Sequence, residues 1–227
     1  MRGAIQTLVA SCLLVGCGSA PSPGPDGGSN VGSDAPPGAG ITVAWSTTTP
    51  IPGDADSNVH VDSVIFRIAT FEVIGDAGAN NPTTTQLGLE ADWKLGDGGM
   101  PITPDAIEFP FAVPGVYSKL STHLDGALVD ESLEISGTAQ VNGTRMPFKI
   151  HDRNDVPISI DVSGTLSAGG GLAFPIRVDF QHALDAVQFD KLDTDDGHLD
   201  LDTFDPQIGN FEHALIEAFS SPGNGDN

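Results

Sequence analysis

Seven aspartates crowd into residues 190–205: Asp190, Asp193, Asp195, Asp196, Asp200, Asp202 and Asp205. Carboxylates at this density repel one another unless water or a cation neutralises them, and hard oxygen ligands suit Ca²⁺. Asp193, Asp195, Asp196, Asp200 and Asp202 are therefore candidate ligands for a divalent cation. Their spacing departs from an EF-hand loop. With Gly197 as its sixth position, Leu192 and Thr194 fall where acids are needed. A solvated acidic loop explains the same residues without an ion. Asp54 and Asp56 could add to that site or form another.

Histidine offers a second chemistry. His60-x-Asp62, His123-x-Asp125 and His198-x-Asp200 each place an imidazole and a carboxylate on one strand face. Such pairs can ligate Zn²⁺ or Cu²⁺ or act as an acid–base couple. A chain this rich in Asp also produces the spacing by composition alone. His213 and Glu217 stand four apart, which on a helix makes a surface ion pair. The chain holds no Gly-x-Ser-x-Gly elbow, Walker loop, dinucleotide fingerprint or His-Glu-x-x-His pair. Carboxylates for a glycosidase are plentiful, but beyond Phe only Trp45, Trp93 and Tyr117 could line a sugar cleft. With 31 acidic and 9 basic residues, a net charge of −22, nucleic acid is excluded as a partner.

The elements that must carry these residues read as strands. Leu87, Leu89, Ala91, Trp93 and Leu95 alternate with polar positions, a period of two that marks one buried face. Leu133–Val141 and Met146–Ile150 repeat the pattern, and Asn142-Gly143 between them predicts a hairpin turn with positive φ at both residues. Val156–Leu166 and Leu172–Phe180 follow, joined at Gly169-Gly170-Gly171. Earlier strands are expected at Ile41–Thr48, Ile107–Phe111 and Val59–Ile74, the last with a phase slip near Ala69 that suggests a bulge. Asp205-Pro206 and the spacing of Ile208, Phe211, Leu215, Ala218 and Phe219 predict an amphipathic helix over 206–219. The fold class expected is all-β: an antiparallel β-sandwich of about 8–10 strands with a C-terminal amphipathic helix. A single domain would span 41–220, and 221–227 would be a disordered tail. Val113-Pro114-Gly115-Val116-Tyr117 resembles the turn of prealbumin-like and carboxypeptidase-regulatory-like sandwich modules, a likeness over about ten residues that bears on fold alone.

The N-terminus reads as an address. Arg2 precedes a mostly apolar run from Ala4 to Val15, too short to span a bilayer. It ends in Leu14-Val15-Gly16-Cys17, which resembles the lipobox of bacterial lipoproteins. The resemblance implies a signal peptide over 1–16, cleavage after Gly16, and lipid on the Cys17 thiol and the new amino group. An ordinary signal peptide cleaved near Ala20 would instead discard Cys17. The chain's other cysteine, Cys12, lies within the signal, so no disulfide is expected. Gly18, where Asp would favour inner-membrane retention, leans toward the outer membrane. Residues 18–40 hold seven Gly, five Pro and four Ser. That composition predicts a tether with a reach of roughly 26 Å. The expectation is a lipid-anchored envelope protein. Its partners would be the membrane, through the anchor, and an envelope protein or extracellular ligand. A Ca²⁺-binding periplasmic or surface lipoprotein is the alternative.

Overall fold

The computed structural model describes residues 40–76, 83–125 and 131–222. The lipobox, Cys17, the tether up to residue 39 and the tail from 223 lie outside the described residues. The strands are β1 (Gly40–Thr47), β2 (Gly53–Asp54), β3 (Val59–Gly75), β4 (Thr83–Leu95), β5 (Pro101–Ile102), β6 (Ile107–Phe109), β7 (Gly115–Leu124), β8 (Leu133–Val141), β9 (Thr144–Asp152), β10 (Val156–Leu166) and β11 (Gly171–Val178). Helix α1 (Phe180–Asp185) follows, then β12 (Asp193–Asp195), β13 (His198–Leu201), α2 (Ile208–Ala218) and β14 (Phe219–Ser220).

Two sheets pack face to face, an all-β sandwich with a C-terminal helix. The smaller has the order β14-β11-β1-β6; the larger runs β10-β7-β3-β8-β9-β13-β12, with β2 and β4 also on β3 and β5 on β4. β3 organises the larger sheet. Its residues 64–74 pair with β4. Its two halves pair with different strands, residues 59–66 with β8 and residues 68–75 with β7. Since both of these spans overlap the β4 span, β7 and β8 must share the edge opposite β4. The changeover is at Arg67, whose N–H donates to Ser132 O at 2.9 Å and whose carbonyl accepts from Asp125 N at 3.2 Å. The expected slip near Ala69 is there, as a register shift between Ile68 and Thr70, and a second lies between Val61 and Ser63.

Aromatic rings fill the space between the sheets. Phe66 and Phe71 of β3 and Trp93 of β4 meet Trp45, Phe109, Phe180 and Phe219 from the opposing side at centroid distances of 5.7–6.2 Å. Most of these pairs are edge-on or tilted, as the ring quadrupole favours.

Several sequence expectations change on this framework. The sandwich is not purely antiparallel, because β1 runs parallel to β11 and β9 parallel to β13. Each of these pairs joins strands far apart in sequence, so no hairpin forces opposite directions. Leu87 and Leu95 are exposed, and only Ala91 and Trp93 of β4 are buried. The core covers only part of that long strand. The strand expected to reach Phe180 ends at Val178, and Phe180 opens α1, whose Asp179 cap accepts from His182 N. The triple glycine makes the expected turn between β10 and β11, which lie in different sheets. The predicted Asn142-Gly143 hairpin is present, with φ of 50° and 80°. α2 starts two residues later than expected, at Ile208, and the Asp205 carboxylate accepts from Gln207 N in the turn that precedes it.

Gly137 of β8 lies under the Phe148 ring. A Cβ there would collide with the His60 carbonyl oxygen and sit 2.9 Å from two Phe148 ring carbons. Backbone cannot step aside as a side chain can. Gly137→Ala should therefore cost about 1–3 kcal/mol in thermal denaturation. Gly209→Ala, in open space on α2, should raise stability by about 0.5–1 kcal/mol.

Candidate functional site

The acidic segment of residues 190–205 has a hairpin at its centre, residues 193–201. β12 and β13 pair Asp193 with Asp200 and Asp195 with His198, around an Asp196-Gly197 turn with φ of 45° and 86°. Asp-Gly is the dipeptide such a turn needs. Asp193, Asp195 and Asp196 are exposed. Asp202 accepts from Phe204 N at 2.8 Å, so its carboxylate is held in a turn. Asp200, opposite Asp193 in this register and so on the same face, takes His151 as its partner.

His151, which carries no motif, is the centre of the polar face. Its Nδ1 lies 3.1 Å from Glu131 Oε1 and its Nε2 lies 3.1 Å from Asp200 Oδ1. His198 Nε2 is 3.7 Å from the same Asp200 oxygen. Lys149, two residues before His151 and so on the same face of β9, reaches Glu134 at 3.2 Å and Glu131 at 3.9 Å. Burial pushes Glu134 up, but hydrogen bonds to Lys149 and Glu131 and the charges of Lys149 and Arg67 hold it below the ordinary glutamate value.

Other histidines also take carboxylate partners. His60 has Asp54 at 2.8 Å on Nδ1 and Asp62 at 3.5 Å on Nε2. His123 takes Asp155 at 3.1 Å. In both His60 and His151 the two carboxylates sit on opposite ring nitrogens, so they do not converge on one point. Among the described residues no three His, Cys, Asp or Glu side chains are placed to hold a metal ion. His213 and Glu217 form the helix-surface pair at 3.4 Å.

One residue along β9 the chemistry turns inward. Asp152 is fully buried. Its Oδ1 accepts from Arg153 N at 2.8 Å, Asn154 N at 3.1 Å and Thr203 Oγ1 at 3.1 Å. Its Oδ2 is buried without a partner, as among the described residues is only Asp92 Oδ1 besides. Glu212 of α2 stands next to it and accepts from Asn154 Nδ2 at 2.6 Å. Burial first, and then the Asp152 carboxylate, push Glu212 above its ordinary value of 4.5, against the hydrogen bond from Asn154. A protonated Glu212 can donate to Asp152 Oδ2; an ionised one can only repel it. The sequence did carry a signal: in Met146, Phe148, Ile150, Asp152 the period of two extends to put a carboxylate on the buried face.

A separate cleft of about 250 Å³ lies between β4 and β6, beside Trp45, with Glu90, Asp105 and Glu108 at its rim. It is smaller than most pockets that enclose a small molecule. No family model, curated protein or solved structure matches this chain.

Two measurements test this geometry. A native-state value raised at Glu212 contributes stability below about pH 4.5, and that contribution is lost as pH rises through the raised value. Glu212→Gln, whose amide can donate at every pH, should thus melt higher than the parent at pH 7 by about 1 kcal/mol, with the gain shrinking toward pH 4. The second concerns Ca²⁺. A site filled at ~100 times its Kd would add about 2.7 kcal/mol. With Asp200 and Asp202 already committed, melting in Ca²⁺, in Mg²⁺ and in EDTA at constant ionic strength should coincide.

Proposed function

We propose that this chain is a lipid-anchored bacterial cell-envelope protein that presents a β-sandwich as a binding or structural module. The observation that supports this reading is the order of its parts. An apolar run ends in Leu14-Val15-Gly16-Cys17, a segment rich in Gly, Pro and Ser follows, and the first strand begins at Gly40. Lipid on the Cys17 thiol and amino group would hold more firmly than one acyl chain, which binds membranes only marginally. The described part needs no disulfide, since both cysteines precede it. The outer membrane is the destination that Gly18 favours, and the partner of the module is an envelope protein or an extracellular ligand.

The experiment is expression of the full chain in a Gram-negative bacterium, with mass analysis of its N-terminal peptide. A chain beginning at an acylated Cys17, and its transfer from the detergent to the aqueous phase on Cys17→Ser, is the expected result. A chain beginning after Ala20, or membrane association that survives Cys17→Ser, would defeat the reading.

A further inference from the structure

Residues 109–116 read Phe-Pro-Phe-Ala-Val-Pro-Gly-Val, without a charged or hydrogen-bonding side chain, in a protein of net charge −22. Three of these side chains are held out into solvent: Phe111 is 94% exposed, Val113 61% and Val116 46%. Contiguous apolar exposure of this kind marks an interaction surface, whereas single exposed residues do not. The loop is pinned. Ala112 N donates to Phe109 O at 3.2 Å, closing a turn, and the buried Tyr117 hydroxyl donates to Val113 O at 2.7 Å. Phe109 itself is buried, its ring 6.2 Å from that of Phe71. Phe111 is thus presented on a fixed base, and little order remains to be gained on docking.

The chain from Cys17 arrives at this same place. Gly40 packs against the base of the loop so closely that a Cβ on it would collide with Phe109 O and lie 2.8 Å from Pro110 Cα. Whatever holds Cys17 is therefore tied by residues 18–39 to the end of the sandwich that carries Phe111. A net negative chain does not seek an anionic surface, which leaves apolar contact as the attraction that a zwitterionic lipid leaflet can offer.

We propose that the Phe111–Val113 loop seats in the interfacial layer of the bilayer that holds Cys17, as a second contact that orients the domain. The inference rests on the lipid-anchor reading above.

The test uses the full acylated chain in phosphatidylcholine vesicles, with Phe111→Trp and Phe204→Trp compared against the parent, whose own Trp45 and Trp93 set the background. Phe204 is 86% exposed as well. It follows Thr203, which bonds Asp152 close to the Val156 end of β10, whereas the loop adjoins the Leu166 end through the Leu166–Gly115 pair. In vesicles of brominated phosphatidylcholine, the F111W chain should lose most of its added emission and shift to the blue, and the F204W chain should lose none. Equal quenching of the two in an acylated, vesicle-bound protein would overturn the loop contact and leave the anchor intact. A blue shift of F111W that grows with protein concentration and needs no lipid would overturn it in favour of a second copy of the chain. An unacylated Cys17 would defeat the anchor, and this inference with it.

Discussion

A strand of seventeen residues that gives one edge to two different partners constrains everything else in this protein. β3 holds β8 along its first half and β7 along its second, and Arg67 divides its backbone groups between the two. Register shifts, which bend and twist a strand, lie on either side of the division. A bent sheet needs a core to bend around. Phe66 and Phe71 provide it from β3 itself, packing against rings from both sheets and from α1.

The bend also brings the polar groups together. Strand β9 hangs on β8, and so on the first half of β3, while β10 hangs on β7 and the second half. The chain crosses between the ribbons at Asp152, Arg153 and Asn154. Its peptide groups there cannot join either ladder fully, and the Asp152 carboxylate serves two of them. That local demand is a structural reason for a buried acid. The partnerless Oδ2 is what remains after the demand is met, and α2 closes over it with Glu212. His151, one residue earlier, points to the other face and links the crossing to the acidic hairpin through Asp200. The charged outer face and the buried carboxyl pair are two sides of one strand end.

Ionic pairs of this partly exposed kind contribute little individually. Their arrangement still has a consequence, because the carboxylates are divided among several histidines instead of converging on one point, even where Asp200 serves both His151 and His198. The density of acid in the sequence is dispersed over separate ring nitrogens, turns and solvent. Net charge of this size opposes self-association.

The sequence by itself determined the alternating strands, the Asn142-Gly143 turn, the bulge near Ala69 and the helix after Pro206, because each depends on contacts within a few residues. The run ending in Leu14-Val15-Gly16-Cys17 and the Gly, Pro and Ser content of residues 18–40 likewise need no fold to be read. Only the tertiary structure decided which carboxylate meets which histidine. His60 finds Asp54 from across a strand pair, His123 finds Asp155, and His151 finds Glu131 and Asp200. Of the pairs that spacing suggested, His60 with Asp62 at 3.5 Å and His198 with Asp200 at 3.7 Å do meet along one strand. The shorter contacts, to Asp54, Asp155, Glu131 and Asp200 from His151, are fixed by strand order. The parallel pairings of β1 and β9 and the exposure of Leu87 and Phe111 have the same origin. A period of two tells which residues share a face, but not which part of that face another sheet will cover.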